Sequence, residues 1–268
     1  MRKLKSLFTL CWQDLTNLFS TKISKKGSIE EKLRRDGIVF IPDFLSPDKC
    51  DSIKSFLLRS LENNQDGIKL RKRNKENPEG TDHGMIDMVV NPKLIEAEIM
   101  KLFDRVGSKI AIATNLETYH TRINAYINRG VINTRGYHMD NIHPTLFKAF
   151  VYLTDVESTD HGPYAFIKGT HQLSKWPYIN LLANIFSKTP ITDMALFPKK
   201  REVVALAKKG TLIISSQNGI HRGVPQKKGN ERFLLLFSYI SLHKRSYLGP
   251  SVKREIESAF RKWSPEII

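Results

Sequence analysis

The stretch GTLIISSQNGIHRGVPQKKGNERFLLLFSY, residues 210–239, holds two apolar runs joined by a glycine-containing turn segment. TLIIS and RFLLLFSYISL are short enough, and apolar enough, to read as strands. The turn between them carries His221 at the end of the first strand. Arg232 follows eleven residues later, at the start of the second. In an antiparallel pair that spacing puts both side chains on one inner surface at different depths. A guanidinium facing a cavity would lack a partner until an acidic ligand entered, and its planar fork suits a carboxylate. The pattern asks for a dicarboxylate co-substrate.

Working outward, the alternation found here recurs upstream. From Glu117, Ile123, Ala125 and Ile127 point one way and Arg122, Asn124 and Tyr126 the other. Phe147, Ala149, Val151 and Leu153 repeat the pattern, with Lys148 on the opposite face, and YAFI and EVVALA add further short strands. The earlier part of the chain has helical periodicity. Ser28 and Glu31 form a capping box for a helix ending at Gly37, and Ser46 with Pro47 starts a helix that turns Cys50, Ile53, Phe56, Leu57 and Leu61 inward. Further helices are expected in NPKLIEAEIMKLFDRVG, WPYINLLANIFSK and SVKREIESAFRKW, and an exposed loop in DGIKLRKRNKENPEGTDHG. Many short strands after a helical block predict a mainly β sandwich or barrel with flanking helices.

Length and charge frame this reading. The 268 residues suit one large domain, expected over 28–268, preceded by a basic amphipathic extension and linker over 1–27. A net charge of +16 favours anionic partners without choosing among them. Two cysteines, Cys11 and Cys50, cannot build a disulfide framework, so a reducing, cytoplasmic setting is expected. Residues 1–20 lack a signal-peptide cleavage site. They read as a helix packed on the domain, with peripheral membrane contact as the alternative.

RGYHMDN, residues 135–141, places His138 and Asp140 two positions apart, on one face of an extended segment with Met139 pointing away. An HxD triplet is weak evidence alone. Two histidines and a carboxylate on one side of an ion, with open positions opposite, are the arrangement of non-haem iron(II) oxygenases, and His221 is the second histidine in view. Three ligands and an open position also suit a zinc hydrolase.

Four ordered blocks carry a resemblance to a known family: RDGIVFIPDFLSPDKCDSIKSFL, the HMD triplet, FKAFVYLTDVESTDHGPYAFIKGTHQ, and HRGVPQKKGNERFLLLFSY. The chain resembles the phytanoyl-CoA dioxygenase family of iron(II)- and 2-oxoglutarate-dependent oxygenases from about Arg35 to Ser241. The resemblance implies a double-stranded β-helix core of the jelly-roll, cupin-like kind. It also implies iron(II) held by His138, Asp140 and His221, with the distal carboxylate of 2-oxoglutarate on Arg232. HTRIN looks like a strand on which related hydroxylases place polar contacts to the co-substrate, which adds Arg122 and Asn124. Dioxygen is the oxidant, succinate and carbon dioxide are the co-products, and hydroxylation of an unactivated C–H bond is the expected outcome. Because Asp140 is present, no coordination position is vacant for a halide. The family block departs at Tyr164, Lys168 and Gly223, the last standing where many relatives offer a hydroxyl.

The other histidines read as ordinary residues, exposed or satisfied at His83, His143 and His243 and structural at His171, with His120 and His161 open. The basic run from Lys69 to Lys75 suits either a solvated face or capture of an anionic substrate. A small-molecule or lipid-like substrate is expected. Nucleic acid is not, because the chain has no zinc-finger spacing, RNP-like strand or recognition helix. The rival reading is a non-catalytic binding protein on the same scaffold, associated with anionic membrane or nucleic acid.

Overall fold

The computed structural model describes residues 25–72, 80–140, 145–172 and 175–242. The expected N-terminal and closing helices, His143, His243 and residues 73–79 lie outside them. The chain opens with α1 (Ile29–Asp36), where Ser28 accepts the Glu31 N–H at 3.1 Å and Gly37 ends the helix at φ +79°. Strand β1 (Ile38–Ile41) and α2 (Pro47–Glu62) follow, the latter capped by Ser46 with Pro47 in its first turn. Next come β2 (Ile68–Lys72), β3 (Met85–Val90), α3 (Ala97–Thr114), β4 (Glu117–Arg129), β5 (Thr145–Tyr152) and β6 (Tyr164–Ile167). Helix α4 (Lys175–Asn184), β7 (Glu202–Val204), β8 (Leu212–Ser216), β9 (His221–Gly223) and β10 (Glu231–Leu242) complete the described elements.

These strands form two antiparallel sheets: a large one in the order β1-β8-β5-β10-β4-β3-β2 and a small one in the order β7-β6-β9. The alternation in the sequence explains why both faces of the large sheet are covered. One face carries Ile123, Ala125, Ile127, Phe147, Ala149, Val151, Phe233, Leu235 and Phe237, packed on Leu33, Cys50, Leu57, Phe103 and Ile110 of α1–α3. The opposite face carries Phe150, Tyr152, Ile213, Leu234 and Leu236, which meet Phe166 of the small sheet and Ala205 just after β7. Such a two-sheet sandwich with helices outside has the jelly-roll plan, and the space between its sheets is where a site can open. Phe103 stacks on Phe237 at 3.6 Å between ring centroids, and truncating such a buried ring to alanine costs about 3–5 kcal/mol.

Two local expectations are corrected. Residues 68–72, expected in an exposed loop, form the edge strand β2, in register with β3 from Ile68↔Val90 to Lys72↔Ile86. Strand β9 does not pair with β10: it pairs with β6 in the small sheet, so His221 and Arg232 come from facing sheets rather than neighbouring strands. No helix among the described residues is long and apolar enough to cross a membrane.

Candidate metal centre

The backbone assembles this centre first. His138 N–H donates to His221 O and His221 N–H to His138 O, both at 2.9 Å, so a reciprocal main-chain pair ties the two imidazole-bearing residues together. Asp140 N–H donates to Gln217 O at 3.0 Å. Met139 turns the other way, 1% exposed, into a cluster with Ile167, Leu181, Met194 and Ile220. The turn before His221 is set by the family-like block: Ile220 N–H donates to Thr170 Oγ1 at 2.9 Å, and Gly219 lies so close to Phe166 that a Cβ there would sit 2.3 Å from Cζ.

Each imidazole is then oriented through its inner nitrogen. His138 Nδ1 lies 2.8 Å from Gly136 O and His221 Nδ1 2.9 Å from Gly219 O. A carbonyl only accepts, so both Nδ1 atoms carry the proton and both Nε2 lone pairs are left for an ion. Those Nε2 atoms lie 3.3 Å and 3.6 Å from Asp140 Oδ1. The three donor atoms fall within 4.8 Å of one another, the only such triad of His, Cys, Asp or Glu among the described residues. Burial lowers the His221 pKa and favours the neutral, ligating form. Burial opposes ionisation of Asp140, yet the carboxyl, beside the Lys148 ammonium, is held well below its usual range. Lys148 Nζ contacts Asp140 Oδ2 at 2.5 Å.

The triad opens into a cavity of about 310 Å³ between the sheets, whose wall also includes Arg232, Lys148, Tyr164, Tyr126 and Asn128. Arg232 is 7% exposed and donates from Nη1 to Gly162 O, while its Nε has no hydrogen-bond partner among the described residues. Burial lowers its pKa, against the nearby Tyr152 hydroxyl. A buried cation with an unmet donor is costly, and a carboxylate entering the cavity supplies the missing acceptor. The residues present therefore fit both a divalent ion and a dicarboxylate.

The remaining candidates divide. Neither Arg122 nor Asn124 lines the cavity. Arg122 is exposed, and Asn124 spends its amide on Asp87 Oδ1 at 2.7 Å. Farther along the same face of β4, Tyr126 and Asn128 reach the wall instead, because only that end of the strand borders the cavity. Lys148 and Tyr164 both face it, whereas none of residues 69–71 does. At Gly223 the space is open, and Thr134 Oγ1 donates to its carbonyl at 2.8 Å. His171 is structural, with its ring against Gly37 and Nε2 3.0 Å from Arg34 O, and His161 Nδ1 accepts the Glu157 N–H at 3.1 Å. Sequence reasoning missed Lys148 as a partner of Asp140. The signal was its place opposite Phe147 and Ala149, once those two are assigned to the helix-covered face.

A family model described as phytanoyl-CoA dioxygenase matches residues 33–232. The chain belongs to this family. Among solved structures, this chain is similar in fold to the epimerase SnoN from nogalamycin biosynthesis, at 15% identity and a TM-score of 0.57 over 79% of this chain and 81% of that one. The carbocyclase SnoK from the same biosynthesis is 15% identical, with a TM-score of 0.55 over 87% and 91%. EvdO2 from Micromonospora carbonacea var. aurantiaca is 13% identical, with a TM-score of 0.57 over 83% and 93%. SnoN and SnoK are described as non-haem α-ketoglutarate-dependent enzymes, and EvdO2 has also been solved with 2-oxoglutarate. No curated protein matches the chain with significant similarity. The cofactor set expected from the sequence, iron(II), 2-oxoglutarate and dioxygen, is that of the family, and the His138–Asp140–His221 triad is a group that could hold its metal.

Proposed function

We propose that this phytanoyl-CoA dioxygenase family member is an iron(II)- and 2-oxoglutarate-dependent hydroxylase acting on an unactivated C–H bond of a small-molecule or lipid-like substrate. The observation that carries the reading is the meeting of three metal donors and one under-satisfied buried guanidinium in a single cavity. His138, Asp140 and His221 would hold the ion on one side, leaving positions open toward the cavity. Bound there with 2-oxoglutarate and dioxygen, iron supplies an oxidant strong enough to take hydrogen from carbon, and the co-substrate leaves as succinate and carbon dioxide. Arg232 would bind the distal carboxylate of 2-oxoglutarate and so fix which end of the co-substrate reaches the metal. The apolar wall of Val131, Val224, Leu234 and Leu236 excludes water from the reacting region and suits an aliphatic substrate segment. Arg135 and Lys148 in the same wall are paired with Asp193 and Asp140, so the wall itself does not select for an anionic substrate.

The test is turnover of 2-oxoglutarate. Protein purified without oxygen, then given ferrous iron, 2-oxoglutarate and air, forms succinate even without a primary substrate, and H138A does not. A wild-type protein that binds the metal yet never forms succinate would leave the non-catalytic binding reading in place. Removal of hydrogen from carbon can end in oxygen insertion, stereochemical inversion or ring closure. Product mass separates the first, which gains one oxygen, from inversion, which leaves the mass unchanged, and from closure, which loses two hydrogens.

A further inference from the structure

Asp140 offers two oxygens, and they face different partners. Oδ1 looks toward both imidazole Nε2 atoms, at 3.3 Å and 3.6 Å, while Oδ2 is taken by Lys148 Nζ at 2.5 Å. Lys148 does not come from a mobile loop. It sits on β5 between β8 and β10, opposite Ser215 and Ser238, and its side chain is 28% exposed at the cavity wall. Its backbone position is therefore fixed by the centre of the large sheet.

Resting on the metal-centre reading above, we propose that Lys148 is a positioning residue that limits Asp140 to one-oxygen ligation. An oxygen already bonded to an ammonium has lost the lone pair directed at it and cannot turn to the ion without breaking a charge-assisted hydrogen bond. The limit matters because an octahedral ion with three single-atom protein ligands keeps three open positions. Two serve a chelating 2-oxo acid and one remains. A carboxylate bound through both oxygens would remove one of the three, so chelation would fill the site. The lysine thus keeps a place open, using a contact outside the ligand set itself.

The prediction is read without turnover, on full-length protein loaded with manganese(II), whose bound waters speed the relaxation of solvent protons. With Lys148→Met, Oδ2 is released and displaces one bound water, so relaxation by the manganese form without 2-oxoglutarate drops by roughly a third, three open positions becoming two. Affinity of that form for 2-oxoglutarate falls about tenfold, the scale of such outer-shell effects. Lys148→Arg, which keeps a charged donor, stays near wild type in both. If Lys148→Met does not fold, Lys148→Leu, which also lacks a donor, takes its place. Unchanged relaxation in the variant overturns the proposal even if 2-oxoglutarate affinity falls, because the lysine would then be touching the co-substrate directly. Loss of manganese binding also overturns it, since Lys148 would be supporting ligation rather than limiting it. A wild-type protein that binds manganese no better than H138A sinks the metal-centre reading and this one together.

Discussion

At the residue scale, Arg232 is a buried cation with an unmet donor, and a carboxylate bound in the cavity would supply the missing acceptor. Replacing a buried, under-satisfied charge with an apolar side chain of similar length is often neutral or stabilising. R232M is therefore expected to melt at or above the wild-type temperature without ligand, while its affinity for 2-oxoglutarate drops by about 30-fold or more, the scale for losing one partner of a buried charge pair. Parallel thermal melts and calorimetric titrations check both halves. His171 gives a pH prediction from the same physics. Burial lowers its pKa from 6.5 to about 4 even though Arg34 O accepts from its ring. The unfolded chain therefore binds a proton that the folded one refuses between those values. Stability falls as pH drops through this window, and in H171F the dependence is shallower. Melting temperature measured from pH 7 down to 4 on both proteins decides it.

At the scale of elements, the turn between β8 and β9 transmits packing to the metal ligand. Gly219 holds His221 Nδ1 through its carbonyl and has no room for a methyl group beside Phe166. G219A is expected to cost about 1–3 kcal/mol of stability by overpacking and to weaken metal binding by tilting the imidazole. A metal titration of folded G219A below its melting point checks the second effect separately from the first. The same elements show what the sequence could disclose. Strands β4, β5 and β10 were legible because each alternates apolar and polar positions over many residues, and α1 and α2 because their caps are local. Strand β2 was not, since Lys69, Arg71 and Lys72 hide the alternation of Ile68 and Leu70. Charges of this kind suit an edge strand, and Arg71 lies 3.7 Å from Asp87 of β3. Within the candidate site, His138, Asp140, His221 and Arg232 could be named from spacing and family likeness. Arg122 and Asn124 share a face with the cavity-lining residues of β4 but lie too far along it, a matter of depth that no local pattern encodes. The crossing of the chain from one sheet to the other between Ser216 and His221 is likewise a property of the whole sandwich.

For the whole molecule, His221 comes from β9 of the small sheet and His138 and Asp140 from the segment between β4 and β5, so an ion held by all three would tie that segment to the small sheet. Anything that binds the folded form alone stabilises it by mass action, by about 2.7 kcal/mol at one hundred times the dissociation constant. Manganese(II) at such excess is expected to raise the melting temperature of wild type and to leave that of H221A unmoved, as followed by circular dichroism with and without chelator. The reciprocal main-chain pair between His138 and His221 sets a limit on what the ion itself has to accomplish. Pincers riveted at the pivot keep their gape when nothing is held, so stripping the protein with chelator should leave the amide hydrogens of both histidines slow to exchange with deuterium. Reloading would then be a matter of diffusion and ligand exchange, with no refolding phase.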